Sequence, residues 1–144
     1  AADGFLITDS KSQVRKKRAF VKTPTPGVEA EQASTLFRFL GSDGEISAVE
    51  AVPQTGRLHQ IRASLCSLGF PMLGDKLYGL DDSMYVRQSE GALTEKDMET
   101  LIISRQALHA RRLQFKCPFS GEDISFESPV PEELLPLHRR CLGV

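Results

Sequence analysis

The sequence has no tryptophan, only three cysteines and no long apolar run. Cys66, Cys117 and Cys141 are widely spaced and form no CxxC pair, so the pattern predicts neither a zinc site nor a disulfide framework. Reduced thiols in a cytoplasmic protein are the simplest interpretation. No apolar segment approaches the roughly 18 residues of a membrane span, and residues 1–10 lack the order of a signal peptide. We therefore expect a cytoplasmic protein with no membrane partner.

Motifs of cofactor chemistry are absent as well. No GxxxxGK(S/T) or GxGxxG loop is present to hold a nucleotide phosphate. His109 and Cys117 do not have the spacing of zinc ligands, and no GxSxG motif presents a catalytic serine. The sequence therefore predicts no metal and no nucleotide cofactor.

The charge is nearly balanced, with a formal net charge of −1. This argues against a protein that holds nucleic acid through bulk charge alone. The basic residues are nevertheless clustered. A solvated surface accounts for any single cluster, whereas clusters that converge on one face would indicate an anionic partner. The clusters are Lys11, Arg15, Lys16, Lys17, Arg18 and Lys22; Arg57 and Arg62; and Arg111 and Arg112.

Hydrophobic periodicity predicts an α+β fold with a mixed, mainly antiparallel sheet and flanking helices. Residues 33–40 alternate weakly and are followed by a turn at residues 41–44, so they should form a hairpin with residues 46–52. The remaining predicted strands are a short one at residues 19–22 and a second hairpin at residues 108–117 and 124–126.

The first predicted helix follows the loop at residues 53–57. Ile61, Leu65 and Leu68 fall on one stripe of it, which we expect to be buried. Thr55 is a candidate cap for its start, and Gly69 is a stop signal.

Two further helices are predicted in the second half of the chain. One lies near residues 94–102, where Thr94 and Asp97 resemble a capping box with aspartate in place of glutamate. The other opens at residues 129–134, where prolines and glutamates suit a first turn.

Residues 55–62 (Thr-Gly-Arg-Leu-His-Gln-Ile-Arg) and 69–79 (Gly-Phe-Pro-Met-Leu-Gly-Asp-Lys-Leu-Tyr-Gly) concentrate polar side chains between glycines. Arg57 and Arg62 are the best candidates for function, because a planar guanidinium fork suits phosphate or carboxylate. Arg62 lies at the margin of the apolar stripe, from which it can reach a cleft. Ordinary surface arginines are the alternative interpretation.

The other polar residues of these segments have structural alternatives too. His59 is either a general base or a histidine bonded to backbone. Asp75 is either an acid or base, or a turn carboxylate that bonds nearby amides. Tyr78 is either a catalyst or a packing anchor with a bonded hydroxyl. The residues alone leave these alternatives open.

Both segments closely resemble the RluA family of pseudouridine synthases, which isomerise uridine to pseudouridine in ribosomal or transfer RNA. The resemblance implies part of a pseudouridine synthase catalytic domain, structured RNA as partner and no cofactor. The matching residues, which span about residues 15–138, are Pro53-x-Thr-Gly-Arg-x-His-Gln-Ile-Arg62, Gly69-x-Pro-x-Leu-Gly-Asp-x-x-Tyr-Gly79, Arg105-Gln-Ala-Leu-His-Ala110, Leu113-x-Phe115, Pro118 and Pro129-x-Pro131.

The resemblance also implies residue roles. In this family an aspartate attacks the target nucleoside, whose base leaves its stack, detaches, rotates and rejoins through carbon. The arginine of the His-Gln-Ile-Arg segment is the partner of that aspartate, which makes Arg62 the implied catalytic residue, since a guanidinium keeps such a carboxylate ionised. The residues expected to bind RNA are Arg57, His59, Gln60, Lys16, Lys17 and Arg18.

The chain departs from the family pattern upstream of these motifs. Nothing resembles the family's His-Arg-Leu-Asp-x-x-Thr-Ser-Gly segment, which holds the nucleophile, because Asp3, Asp9 and Asp43 have other neighbours. Ser64 and Cys117 stand where the family more often has histidine. We therefore expect residues 1–144 to form a single partial catalytic domain, the C-terminal half of an RluA-like domain, which is inactive alone.

Such a chain would be part of a longer synthase, as a fragment or a truncated gene product, and the Ala-Ala start without methionine favours processing. One alternative is a catalytically inactive RNA-binding module derived from the same family. Another is a structural remnant that dimerises through an open sheet edge and ignores RNA. Salt-dependent affinity for RNA would distinguish these two alternatives.

Overall fold

Ten helices and strands follow one another in the computed structural model, which describes residues 1–144. They confirm the α+β class. By contact they divide into two units, residues 1–39 with 49–107 (unit 1) and residues 40–48 with 108–144 (unit 2). The elements are β1 (Ala2–Thr8), β2 (Arg18–Val21), β3 (Ala30–Ser42), β4 (Ser47–Pro53), α1 (Gln60–Ser67), α2 (Ser83–Ser89), α3 (Glu95–Leu101), β5 (Arg112–Lys116), β6 (Asp123–Glu127) and α4 (Leu135–Leu142).

Strands β1 to β4 form one sheet in the order β2-β1-β3-β4. Strand β1 runs antiparallel to both of its neighbours, with Leu6 opposite Phe20 of β2 and Phe5 opposite Gln32 of β3. The predicted strands at residues 19–22, 33–40 and 46–52 are confirmed, and β3 extends further at both ends than its alternation indicated.

The sequence did not predict the inner strand β1. Its buried positions are Ala2 and Leu6, each 1% exposed, separated by Gly4. A Cβ atom at Gly4 would collide with the Val21 carbonyl and contact the Phe20 ring, so the strand approaches β2 closely there. A glycine and an alanine on the buried face produce little apolar alternation, and the pattern was therefore weak.

Helix α1 packs on β1 and β2, and the Phe20 backbone N–H donates to the Ser67 hydroxyl at 3.1 Å. The core of unit 1 combines this helix, the strands and the segment that follows: Ala2, Leu6, Phe20, Ala33, Ala63, Leu77 and Tyr78.

Two expectations about α1 were wrong. Its buried residues are Gln60, Ala63 and Ser64, whereas Leu68 of the predicted stripe is 44% exposed. Two small residues and a polar one therefore form the buried face of the helix, which a count of large apolar side chains cannot detect. Thr55 is not the cap either, because its hydroxyl donates to the Gln60 side chain at 2.7 Å and the helix follows a left-handed residue, His59.

Helices α2 and α3 follow in unit 1, and only α3 was predicted. The capping box of α3 is confirmed, since the Asp97 N–H donates to the Thr94 hydroxyl at 3.1 Å and the Thr94 N–H donates to the Asp97 carboxylate at 3.0 Å. Arg87 of α2 donates to the same carboxylate through Nε (2.9 Å) and Nη2 (2.6 Å).

Unit 2 contains the β5–β6 hairpin and helix α4. The hairpin is confirmed, with Phe115 stacked on Phe126 at 6.4 Å between ring centroids, although β5 is shorter than the predicted strand. Helix α4 begins at Leu135, later than predicted, because a turn closed by the Leu134 N–H on the Pro131 carbonyl (2.9 Å) precedes it. None of the four helices combines the length and apolar character needed to cross a bilayer.

Candidate active site

Arg62 and Asp75 form a two-pronged ion pair within unit 1. Arg62 Nε donates to Asp75 Oδ2 at 2.7 Å, and Nη2 donates to Oδ1 at 2.8 Å. The Asp75 side chain has no exposed surface and that of Arg62 is 13% exposed. Charge-assisted forks of this kind fix the orientation of both groups. Asp75, which the sequence left open between a chemical and a turn role, is thus the group that orients the implied catalytic arginine.

The Asp75 carboxylate is held ionised by its surroundings. Its Oδ1 also accepts the backbone N–H groups of Leu77 (3.0 Å) and Tyr78 (2.9 Å). Burial alone would raise the pKa of Asp75, but the bonds from Arg62 and from these two amides outweigh it and lower the pKa. The carboxylate is therefore a permanent negative partner at neutral pH.

Gly74 determines the conformation of the turn that places Asp75 beside Arg62. It has a φ of +69°, a left-handed conformation, and its N–H donates to the Leu101 carbonyl at 3.0 Å. A Cβ atom at this position would overlap the backbone carbonyl of Arg105 and lie 2.9 Å from Ile103 Cγ2. Only glycine fits both the conformation and the space.

Asp75 occupies just one edge of the Arg62 fork. A guanidinium carries five N–H donors, and Asp75 uses the Nε–Nη2 edge. The Tyr78 ring lies 4.8 Å from Arg62 Cζ, and the Gln106 amide oxygen, in the orientation that satisfies both groups, accepts from Arg62 at 3.2 Å. That oxygen lies 3.2 Å from Nη1 and Nη2 as well as from Nε. The edge between Nη1 and Nη2 therefore has a neutral acceptor near it but no carboxylate, and a carboxylate bound there would share these donors with Gln106.

We expect Asp75→Asn to lower the free energy of unfolding by about 2 to 3 kcal/mol, because Arg62 loses its charged partner while the two backbone amides keep an acceptor. The pKa of Asp75 is lowered in the folded protein, so the stabilisation is present at neutral pH and is lost as the pH falls through that lowered pKa. The variant should lack this acid-sensitive part, which denaturant titrations at neutral and acid pH would measure.

Glu50→Gln is the matched control, because it breaks the 2.9 Å pair with Arg38, whose side chain is 70% exposed. Exposed pairs contribute little, and the control should change stability by no more than about 0.5 kcal/mol. Equal losses in the two variants would contradict the importance assigned to burial.

Gln60 is the hub of a buried network at the start of α1. It is 4% exposed. Its Nε2 donates to the Ser34 carbonyl and the Thr35 hydroxyl, both at 2.9 Å. Its Oε1 accepts from the Thr55 hydroxyl (2.7 Å) and from the Arg57 N–H (3.0 Å). Every polar atom of the amide is therefore used inside the protein, and the network ties the loop before α1 to strand β3.

His59 and Tyr78 meet beside this network. His59 Nδ1 lies 3.0 Å from the Tyr78 hydroxyl, which also accepts the Arg18 backbone N–H at 2.8 Å. Tyr78 is only 1% exposed, and burial raises the pKa of its hydroxyl. Burial, followed by the charge of Arg62, lowers the pKa of His59.

The basic residues expected to bind RNA differ in their exposure and in their bonding partners. Lys16 is exposed, and with Arg18 it lies close enough to His59 to act on it electrostatically. Lys17 pairs with Asp82 at 3.0 Å, with its ammonium 5.9 Å from the centre of the Tyr78 ring. Arg57 is exposed and donates to the Gln32 carbonyl at 3.2 Å. Lys16, Arg18 and Arg62 therefore share the neighbourhood of His59.

Sequence reasoning missed two partners of Arg62. Gln106 was noted only inside a matching motif, and Asp75 was not connected to Arg62. The only available signal was that Arg62 and Asp75 occur in adjoining motifs of the same stretch, since periodicity on α1 cannot reveal which later loop returns to it.

Comparison with known proteins identifies relatives across most of the chain, although no protein-family model matches it. The chain is 33% identical over 134 residues to an uncharacterised RNA pseudouridine synthase of Chlorobaculum parvum, which covers 93% of the chain and 41% of that protein. It is 39% identical to ribosomal large subunit pseudouridine synthase D of Vibrio cholerae, covering 92% of the chain and 39% of the relative. It is 42% identical to the protein of the same name from Xanthomonas campestris, covering 74% of the chain and 31% of that relative. The chain thus spans about two fifths or less of the length of these relatives.

Proposed function

This chain belongs to the RluA family of pseudouridine synthases, and from that premise we propose that it is the C-terminal part of a catalytic domain that isomerises uridine to pseudouridine in structured RNA. In this proposal residues 1–144 supply the arginine and part of the RNA-binding surface. The nucleophilic aspartate comes from a segment that this sequence does not contain.

The observation that carries the proposal is that only one edge of the Arg62 guanidinium is bound to a carboxylate. Asp75 holds the Nε–Nη2 edge at 2.7 and 2.8 Å, inside the protein. The Nη1–Nη2 edge is bound to no carboxylate, and its acceptor is the neutral Gln106 oxygen at 3.2 Å. A guanidinium that is already oriented costs little to align when it receives the nucleophile. It keeps that nucleophile ionised and directed at the nucleoside, since a nearby positive charge lowers a carboxyl pKa.

A second step of the proposal concerns the RNA backbone. The charges of Lys16, Arg18 and Arg62 all act on the half-buried His59, and Arg57 lies exposed next to the Gln60 network. Positive groups of this kind neutralise phosphates and position the RNA without reading its sequence. We assign Gln60 to the scaffold of this surface, because its amide is fully bonded within the protein.

The chain alone is expected to bind RNA in a salt-dependent manner and to form no pseudouridine. With two or three phosphates neutralised, the logarithm of the affinity should fall against the logarithm of salt with a slope of about −2. Titration of a labelled RNA hairpin with uridines in its loop, at two salt concentrations, measures the slope, and nucleoside analysis after incubation measures the product.

Lys16→Ala should reduce the slope by about 1, whereas Lys96→Ala, which removes an equal exposed charge from α3, should leave it unchanged. Pseudouridine formed by the chain alone would contradict the assignment of the nucleophile to a missing segment. An absence of binding at low salt would favour the structural remnant over both RNA-related functions.

A further inference from the structure

The Tyr78 hydroxyl has two hydrogen-bond partners, Arg18 and His59, and together they determine the direction of its O–H bond. The backbone N–H of Arg18, a donor only, is 2.8 Å from it, and His59 Nδ1 is 3.0 Å away on another side. A phenol has one proton and can accept as well as donate. Tyr78 accepts from Arg18 and so has its single proton available for His59. This arrangement is fully satisfied when Nδ1 carries no proton.

The His59 ring is held firmly in that relation. The residue has a φ of 57°, in the left-handed region, immediately before α1 begins. Its ring meets the Tyr78 ring edge to face, with 5.5 Å between centroids and 82° between planes. A left-handed conformation is uncommon for a residue other than glycine, and strain of this kind is concentrated at functional sites.

The other ring nitrogen of His59 takes no part in the bonded network. Nε2 carries no hydrogen bond to another residue, and it is not among the buried polar atoms without a partner. It therefore keeps some surface in contact with solvent. With Nδ1 as the acceptor of the Tyr78 proton, a neutral His59 must carry its own proton on Nε2.

Charges around His59 favour the neutral ring. Burial lowers its pKa first, and the positive charges of Arg62 on α1, Arg18 on β2 and Lys16 in the preceding loop lower it further, whereas Asp75 opposes them. A proton added to Nδ1 would also meet the Tyr78 hydroxyl, which would then have to turn its proton elsewhere.

We propose that Tyr78 locks His59 in the neutral tautomer with its proton on Nε2, and that this N–H donates to a phosphate oxygen of the bound RNA. The ligand part rests on the proposed function, while the tautomer does not. A phosphate fits better than a base edge because Arg18, whose backbone bonds the same Tyr78 hydroxyl, and Lys16 supply positive charge that acts on the ring. Tyr78 is then a positioning residue that acts through His59.

The tautomer is tested without RNA. In the ¹⁵N-labelled 144-residue chain, long-range nitrogen–proton correlations identify which ring nitrogen carries the proton, and His59→Gln identifies the signals of His59 among three histidines. We expect an unprotonated Nδ1 and a protonated Nε2 between about pH 7 and 8, above the ordinary imidazole pKa. Tyr78→Phe should produce a mixture of tautomers. A proton found on Nδ1 of the wild-type ring overturns the proposal.

The ligand is tested with the same RNA hairpin at low salt. His59→Asn suits the left-handed backbone and can bond to Tyr78 but places no donor at the position of Nε2, and it should weaken binding about tenfold. His59→Gln, which is long enough to present an amide N–H there, should lose less. His109→Ala is the control for loss of an imidazole and should change nothing.

The outcomes separate the two proposals. Equal affinity of the wild-type, Asn and Gln chains overturns the phosphate contact while leaving the RNA function in place. If the wild-type chain itself does not bind RNA, the proposed function fails and the phosphate contact fails with it, and the tautomer result still stands or falls by its own spectrum.

Discussion

Arg62→Lys is expected to lower turnover by about 10²- to 10³-fold, or roughly 3 to 4 kcal/mol of transition-state stabilisation, in a synthase that unites this chain with the aspartate segment. A lysine ammonium can still neutralise the buried Asp75. It cannot hold Asp75 on one edge and a second carboxylate on another, because it is a point charge without a planar fork. Single-turnover measurement of pseudouridine formation reports this loss directly.

Arg87→Lys is the matched control for this experiment. Arg87 grips Asp97 through the same two nitrogens, at 2.9 and 2.6 Å, in the same unit. It should cost a similar amount of stability and leave turnover within about twofold of the parent enzyme. If the two lysine variants turned over equally well, Arg62 would be a structural arginine and its Nη1–Nη2 edge would have no catalytic role.

Gly74→Ala is expected to lower the free energy of unfolding by more than about 4 kcal/mol, or to prevent folding. The residue has a φ of +69°, and a Cβ atom would overlap the Arg105 carbonyl, which is backbone and cannot turn aside. The turn that carries Asp75 would have to shift, so the Arg62 fork should be lost with it. Denaturant titration of the variant, or its yield as folded protein, measures the effect.

Two other glycines separate strain from collision. Gly69 has a φ of +88° with open space around its Cβ position, whereas Gly56 has open space and no such φ. Gly69→Ala should therefore cost about 1 kcal/mol and Gly56→Ala almost nothing. A loss at Gly74 no greater than that at Gly69 would show that the Arg105 carbonyl moves away easily.

Local patterns in the sequence were sufficient to predict the elements that are stabilised by residues close to one another in the sequence. The capping box joins Thr94 and Asp97, which are three positions apart, and its sequence predicted the bonds that the structure contains. The β5–β6 hairpin was equally readable, because Phe115 and Phe126 lie on either side of a glycine turn. In both cases the deciding interactions lie within a few residues of the turn or cap.

Elements that are stabilised by residues distant in the sequence could not be predicted from it. Strand β1 is defined by its pairing with β2 and β3, and its Gly4 position is small because β2 comes close there. Helix α1 likewise presents Ala63 and Ser64 to the sheet rather than Leu68. The spacing of large apolar residues carries no information about a face that is buried through close approach of small ones.

The candidate site follows the same division. The motif was enough to select Arg62, and its role remains a prediction. The fork with Asp75 joins two segments through a turn whose geometry depends on Gly74 and on the carbonyl of Arg105, which lies some thirty residues later. No rule of sequence spacing connects those positions.

The absence of tryptophan and the placement of the two tyrosines have a practical consequence for every stability measurement on this chain. Tyr78 and Tyr85 both lie in unit 1, so the tyrosine emission of the chain comes from that unit alone. An isolated two-stranded hairpin is marginal in water, and β5–β6 can open before the four-stranded sheet does. Tyrosine emission would not register that early opening, whereas backbone circular dichroism would. A difference between the two transition curves would therefore measure how independently the hairpin melts.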